Sequence, residues 1–525
     1  MRAAEILVLL LAAIAVLATL AKRWTIPYPI LLVFGGLVIS FAPGLPPVEL
    51  DPQLVLLIFM PPLLFAQAWA THWQDFCAYR RPILLLAVGL VLFTSTAVAF
   101  TLHALTGLPL AVGFVLGAIV SPPDAVAASA IAQRLGLPRR LVMILEGESL
   151  VNDATGLVAY RFGVAAVLTG EFSLAHASLQ FVLVVLGGVA LGWMIAWVSA
   201  KLFAKIDDPT VAITLSLLIP YIGYLSAERL QVSGVLAAVT SGLYLGWRAP
   251  SILSAATRLQ ATAVWEMLEF MLNSVIFILI GLQLPFVRAR LVTYSLTSLL
   301  LYAAVICLVV IVVRPIWVFP GAYIPRWLSR RVRETEPHPS WQAVAVVSWS
   351  GMRGVVSLAA ALALPANLPG GGAFPGRDLI VFLTFAVILA TLVGQGLTLA
   401  PLIRWLGVAG EQRDEKYEHR IRLALAEAAR KHLADFTANT SYPEAAITAV
   451  QAYYDERVFH LSDEQAHVLG WSEHREVWVA RRRLRRETLA AERRLLIELR
   501  ARGELTNEML FALEHELDME EERLR

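Results

Sequence analysis

Thirteen stretches of this chain are apolar over roughly the length a helix needs to cross a bilayer, and that repetition sets the solvent the chain must fold in. A hydrocarbon core takes about 20 residues of helix per crossing. The candidate spans run over residues 4–20, 28–43, 53–69, 82–105, 108–131, 141–169, 178–203, 210–227, 233–247, 264–287, 296–319, 341–365 and 378–402. In hydrocarbon each backbone N–H and C=O must find its partner inside the protein. The expected fold is an all-α polytopic membrane protein. Residues 7–20, preceded by Arg2, also have the outline of a signal peptide. The many apolar stretches that follow make this segment a first membrane helix instead.

Charge divides the chain in two. Residues 1–410 hold 24 Lys/Arg and 17 Asp/Glu, whereas the much shorter 411–525 holds 19 and 24. The first part is composed for hydrocarbon and the second for water. A membrane domain over 1–405 and a cytosolic helical domain over 411–525 are expected. In the latter, 419–433 and 475–501 place apolar residues at three- and four-residue spacing, with breaks at 435–443 and Gly503. Such a tail suits a regulatory or dimer-packing element, or simply solvated helices that pack on themselves. The cluster Arg481, Arg482, Arg483, Arg485 and Arg486 reads as a solvated helix face, and a net charge of +2 gives no reason to expect nucleic acid. Cys77 and Cys307 form no ligand-like pattern.

Orientation follows from the basic residues. With the N-terminus outside, the inner connections carry fifteen Lys/Arg and the outer ones five. Positive charge accumulates on the cytoplasmic side, so the N-terminus is expected outside and the C-terminus inside.

Ionisable residues within apolar spans are costly and are candidates for function. The acids are Asp124, Glu146, Glu148 and Asp153; the bases are Arg161, Arg314 and Arg353. Glu266 and Glu269 lie nearer a helix end, where headgroup partners suffice. Asp124 follows Ser121-Pro122-Pro123, and two prolines inside a span remove backbone donors and break the helix. A carboxylate just after such a break can cap the second half-helix, ligate a cation, or do both. In the next span, Glu146-Gly147-Glu148-Ser149-Leu150-Val151-Asn152-Asp153 stacks Ser149 over Asp153 and Glu148 over Asn152 on adjoining faces. Carboxylates, a hydroxyl and an amide carbonyl suit a hard cation, and the absence of sulfur and imidazole argues against a transition metal. Asp153 lies 12 residues into its span, about 18 Å deep. Glu146 is shallower, lining an inner vestibule or standing as a plain pore-mouth charge. Arg161 lies two turns further out, where it tunes the aspartate, gates the outer side or snorkels to the interface. Arg353 sits in Ser350-Gly351-Met352-Arg353-Gly354, where two glycines permit a second break. A buried guanidinium needs a carboxylate, and Glu148 is the expected partner because it leaves both aspartates for the ion.

The block from Glu146 to Asp153 closely resembles the EGES-x-x-ND signature of the cation:proton antiporter-1 family, the NhaP-type sodium/proton exchangers. Pro61-Pro62-Leu63-Leu64-Phe65, Ile280-Gly281-Leu282, Gly351-Met352-Arg353-Gly354 and Gln395-Gly396-Leu397-Thr398 match in the family's order. The resemblance implies thirteen helices as two inverted six-helix repeats, with helices five and twelve broken where they cross, in a homodimer. It implies that Asp153 is the central ion-binding aspartate with Asn152 before it. It further makes Ser149 a ligand, Glu148 and Arg353 a buried ion pair, and Asp124 the aspartate of a Thr-Asp-Pro motif. Here that motif is Pro123-Asp124-Ala125, so Ser121 or a backbone carbonyl would replace the threonine.

The implied activity is exchange of Na+, with Li+ or K+ as alternatives, for H+ across the cell membrane by alternating access, in pH homeostasis. A carboxylate out of water takes up a proton more readily, so ion and proton compete. Asparagine beside Asp153 resembles the electroneutral branch. No enzyme activity and no cofactor are expected, and neither a P-loop nor a dinucleotide motif suggests ATP drive. The rival readings are a potassium/proton exchanger, a cation channel, and a sensor coupled to the tail.

Overall fold

A computed structural model describes residues 2–24, 26–41, 55–170, 174–283, 295–336, 338–368, 372–408, 413–439, 443–463 and 472–502, together with 513, 517, 519 and 520. The chain divides into two compact units, Met1–Glu411 and Gln412–Arg525.

The apolar segments of the first unit each carry helix among the described residues. It opens with α1 (Arg2–Trp24) and α2 (Tyr28–Ile39). A π-helical turn, Val55–Phe59, leads into α3 (Met60–Ala70), whose Pro61 and Pro62 sit in the first turn, where no intrahelical donor is lost. The short α4 (Trp73–Ala78) and α5 (Arg80–Leu84) follow. A second π segment, Leu85–Leu90, continues α5 into α6 (Val91–Thr106). Then come α7 (Leu110–Val120), α8 (Ala125–Arg134) and α9 (Arg139–Thr169). Next are α10 (Leu174–Phe203), α11 (Pro209–Arg229), α12 (Gly234–Ile252) and α13 (Ala255–Leu282). After α14 (Leu296–Leu328) and the short α15 (Arg330–Thr335) come α16 (Trp341–Trp349) and α17 (Val355–Leu362). Finally α18 (Arg377–Leu389) passes through a third π segment, Ala390–Gln395, into α19 (Gly396–Leu406).

Every apolar stretch of the sequence thus carries helix. Among the described residues, seven helical paths are long and apolar enough to cross a membrane, one of them (Leu110–Ala132) passing through a break, and Tyr28–Ile39 and Val55–Ala70 are shorter apolar helices. Residues 42–43, 53–54 and 284–287 of the expected spans, and the outer-side Arg288 and Arg290, lie outside the described residues. Two helices extend well beyond their apolar stretches. α13 starts at Ala255 rather than 264, and α14 continues to Leu328 rather than 319. α14 contains Pro315, Pro320 and Pro325 without ending. Neighbouring helices in a membrane re-satisfy the backbone groups that proline frees, so proline terminates less reliably here than in water.

Serine and aspartate start several of these helices. Asp208 accepts from Thr210 N and Val211 N, and Ser233, Ser254, Ser295 and Ser340 each accept from a first-turn N–H. Large apolar side chains on α10, such as Leu183, Leu186 and Met194, are exposed, as hydrocarbon solvent permits. Where helices meet, glycine sets the separation. A Cβ at Gly281 would run into Val33 O and lie 2.6 Å from Leu37 N. The Ile280-Gly281-Leu282 motif therefore lets α13 and α2 approach backbone to backbone.

The second unit contains α20 (Arg413–Asn439), α21 (Glu444–Asp463) and α22 (Ser472–Ala501). The expected break at 435–443 begins later, since α20 runs through Asp435 to Asn439; Gly503 lies outside the described residues. Arg430 pairs with Asp455 at 3.5 Å, linking α20 to α21. In the arginine cluster, Arg483 and Arg485 are exposed and Arg485 pairs with Glu520. The side chains of Arg481, Arg482 and Arg486 lie outside the described residues.

Candidate ion-binding site

The helical path stops at Val120 and resumes at Ala125. Pro122 and Pro123 supply no N–H there, and their neighbours' carbonyls lose intrahelical partners. A second interruption lies between Trp349 and Val355. A backbone hydrogen bond joins the two breaks: Asp124 N donates to Met352 O at 2.6 Å. Gly354 completes the contact. A Cβ at 354 would penetrate Asp124 Oδ2 and stand 2.7 Å from its Cγ, so a side chain there would displace the carboxylate.

Two further atoms of the first break are satisfied by α9. Asn152 Nδ2 donates to Pro123 O at 2.8 Å, and Ser149 Oγ accepts from Ala125 N at 3.3 Å. A Cβ at Gly156 would clash with Pro122 Cγ. Positions 149, 152, 153 and 156 form one face of α9, and that face docks on the break. Arg353 reaches across from the second break: its Nε donates to Val120 O at 2.9 Å and its Nη1 to Gly351 O. It places positive charge at the carbonyl end of α7. Its backbone N is anchored to Thr391 Oγ1 at 3.1 Å.

Asp124 and Asp153 face a common cavity of about 40 Å³, which Pro122, Ser149, Gln67 and Asn273 also line. That volume is on the scale of one water molecule. Asp124 Oδ1 accepts from Val126 N at 2.9 Å, so Asp124 does cap α8; its other oxygen faces Gly354. Asp153 is 9% exposed. Among the described residues it makes no ion pair or hydrogen bond.

The expected pairing of Glu148 with Arg353 is not what the structure contains. Glu148 holds Arg314 of α14 in a bidentate pair at 2.6 and 2.8 Å, with both side chains 1% exposed. Arg314 Nε donates to Val347 O at 3.1 Å. The backbone carbonyls of the breaks serve Arg353 instead. A helix break offers acceptors inside the membrane, so a guanidinium beside one does not require a carboxylate. The conclusion that the aspartates stay clear of arginine is unchanged, with a different arginine responsible.

Three other residues stand apart from the cavity. Ser121 donates to Ala118 O and accepts from Ser95 Oγ, each at 3.4 Å, and does not line the cavity. Arg161 pairs with Glu228 of α11 at 2.6 Å, with both side chains partly exposed. Glu146 is half-buried and outside the cavity lining. Gln67 and Asn273 were not apparent from a search for ionisable groups alone. Neutral amides inside apolar helices were the available signal. Asn273 is buried with its Nδ2 lacking a partner among the described residues, and Gln67 hydrogen-bonds Glu269, which brings that acid closer to the site than its helix-end position suggested. Among the described residues no cluster of three His, Cys, Asp or Glu side chains could hold a resident metal. The oxygens at the cavity suit a transient hard cation.

Residues 7–405 match the family model described as sodium/hydrogen exchanger, transmembrane. An uncharacterized Na(+)/H(+) exchanger of Mycobacterium tuberculosis is 32% identical over 527 residues, covering 99% of this chain and 96% of that protein. The uncharacterized Na(+)/H(+) exchanger YjcE of Escherichia coli is 33% identical, covering 95% and 94%. The sodium, potassium, lithium and rubidium/H(+) antiporter of Bacillus subtilis is 32% identical, covering 96% and 75%. In fold, the sodium proton antiporter MjNhaP1 of Methanocaldococcus jannaschii superposes with a TM-score of 0.61 at 20% identity, over 77% of this chain and 99% of that one. The chain belongs to the sodium/hydrogen exchanger family of monovalent cation/proton antiporters and is related to the NhaP-type exchangers.

Proposed function

We propose that Asp153, with Asp124 beside it, takes either a sodium ion or a proton at the cavity between the two helix breaks, and that one cation crosses for each proton. The general activity, secondary active transport of monovalent cations coupled to protons, follows from the family. The site assignment rests on one observation. Two carboxylates face one small cavity, and among the described residues no Lys or Arg pairs with Asp153, while Arg314 is held by Glu148 and Arg353 by carbonyls. A carboxylate without a fixed counter-charge in the membrane must bind something mobile. Ser149 adds a hydroxyl oxygen and Asn152 fixes the break that places Asp124. The same cavity, exposed in turn to either side, makes exchange obligatory.

The broader arrangement we propose has thirteen crossings built as two inverted repeats, with the paired breaks in the fifth and twelfth. It places the N-terminus outside, the C-terminus in the cytoplasm and two copies in a dimer. The unit from Gln412 is a cytosolic regulatory or dimer-packing element. Potassium is the second reading for the cation, favoured by the relative in B. subtilis whose name includes it.

Proton flux in everted vesicles, measured with Li+, Na+, K+ and Rb+ across pH, tests the site. Asp153→Asn and Asp124→Asn should each abolish exchange while the protein remains in the membrane. Full exchange by Asp153→Asn excludes the assignment. A membrane potential generated by transport excludes one-for-one stoichiometry.

A further inference from the structure

A second cavity, of about 70 Å³, lies away from the aspartates and is bounded by α5, α9, α14 and α16. Leu86, Val318 and Val344 supply apolar wall, while Arg81, Arg140 and Arg326 also line it. All three arginines belong to helix ends: Arg81 and Arg140 are second in α5 and α9, and Arg326 is two residues before the end of α14. The cavity therefore combines hydrocarbon walls with guanidiniums at the margin of the apolar unit.

Among the described residues, the Glu336 carboxylate enters this group. Arg81 donates to both oxygens of Glu336 at 2.7 and 2.6 Å, and Arg326 Nη2 donates to Oε2 at 2.8 Å. Arg140 stacks on the Tyr79 ring at 5.7 Å. Arg326 is only 5% exposed, its Nη1 donates to Ala322 O, and its Nε–H has no acceptor among the described residues. A buried charged donor left unmatched is unfavourable, so this N–H marks a place for an external acceptor.

We propose that this cavity binds an anionic phospholipid, with its phosphate on Arg326 and the neighbouring arginines and an acyl chain against Leu86, Val318 and Val344. Guanidinium matches phosphate through paired N–H donors. A soluble phosphate would leave the apolar wall exposed, whereas a lipid covers it and is already present at a helix end in the bilayer. Basic pockets between membrane helices favour anionic headgroups on the same grounds. The lipid would bridge α9, which carries Asp153, and α16, which leads into the second break.

The test titrates phosphatidylglycerol, phosphatidylcholine and inorganic phosphate into delipidated full-length protein in detergent, with native mass spectrometry as the readout. Phosphatidylglycerol should bind about tenfold or more tightly than phosphatidylcholine, the scale of one charge-assisted hydrogen bond. Arg326→Gln should remove that preference. Should Arg326→Gln fail to fold, Arg140→Gln, at a half-buried position, should weaken the preference by severalfold. Ala343→Phe should narrow the cavity and lower affinity for both lipids while leaving every arginine in place. Equal affinity for the two lipids, or a preference unchanged in the arginine variants, overturns the proposal. Displacement of phosphatidylglycerol by inorganic phosphate alone overturns the lipid and leaves a free oxyanion as the ligand.

Discussion

Removing one member of the Glu148–Arg314 pair offers a quantitative test of the architecture around the site. Glu148→Gln withdraws the carboxylate that receives the 2.6 and 2.8 Å bonds, leaving Arg314, at 1% exposure, with Val347 O as its acceptor among the described residues. Breaking a buried pair from one side destabilises by about 3–5 kcal/mol. An unfolding entropy near 2.1 cal/mol/K per residue amounts to about 0.9 kcal/mol/K over the unit Met1–Glu411. The midpoint should therefore fall by roughly 1 °C per kcal/mol, or about 3–6 °C. Arg314→Gln should fall by a similar amount. The double variant should lose no more than either single one, because it leaves no unmatched buried charge; the coupling is then about 3 kcal/mol. Tryptophan fluorescence of detergent-purified protein during heating reads all four states. A parallel cycle with Glu148→Gln and Arg353→Gln should be closer to additive, since Arg353 is held by Val120 O and Gly351 O. Strong coupling in the Arg353 cycle with none in the Arg314 cycle would refute the pairing.

Gly354→Ala should reduce exchange by tenfold or more at about normal expression, because its Cβ needs the space of the Asp124 carboxylate; the Gly372→Ala control, whose nearest contact is 4.0 Å away, should transport normally, and equal activity of the two refutes the contact. Ser149→Ala leaves Ala125 N without its 3.3 Å acceptor and should raise the apparent KM for the cation about fivefold, the scale of one hydrogen bond; an unchanged KM removes Ser149 from the site. Asn273→Leu should alter relative rates with Li+, Na+ and K+, because it replaces a cavity-lining amide, and unaltered ratios show that Asn273 has no part in selectivity. Glu336 lies outside the spans, and the Arg81 hydrogen bonds are the main reason its carboxyl is held below the usual range, with Arg326 and Arg140 adding to the effect. Its contribution to stability is complete above the ordinary carboxylate value of about 4.3 and disappears as pH falls through the lower folded value. The melting difference between wild type and Glu336→Gln should thus be constant from about pH 6 to 8 and shrink below about pH 4; a difference that grows on acidification contradicts the sign.

What the sequence disclosed depended on whether an interaction was local. Apolar length located the long helical segments of the first unit but not the short Trp73–Ala78 and Arg330–Thr335, and Pro122-Pro123 and Gly351/Gly354 located both interruptions, because backbone donors and side-chain volume act within a few residues. The face shared by Ser149, Asn152 and Asp153 was likewise visible from a period of 3.6. Partner choice was not. Arg314 lies 166 residues from Glu148, and nothing local distinguishes it from Arg353 as a counter-charge. Nor does a sequence say that Val120 O and Gly351 O, freed by the breaks, will take a guanidinium. Ser121 points away from the cavity because its hydroxyl finds Ala118 O and Ser95 first, a competition decided by helix packing. Gln67 and Asn273 carry no charge and so lack the signal that marks an ionisable residue in an apolar span, although an uncharged amide can also solvate an ion.

The three π-helical segments have a consequence for the rotational phase of the helices. A π turn contains one residue more than an α turn, and one residue corresponds to about 100° of helical rotation. In the third segment, Thr391 Oγ1 accepts from Arg353 N, and beyond it Thr398 Oγ1 accepts from Trp349 Nε1 at 2.9 Å. The two threonines thus meet opposite ends of the second break from either side of the same insertion. Removing one residue between Leu392 and Gln395 would still permit a continuous helix, but would turn Thr398 away from Trp349 by about a quarter of a circle. Length variation in this segment is therefore a change of azimuth, and chains that differ there by one residue cannot present Gln395-Gly396-Leu397-Thr398 to the same neighbours.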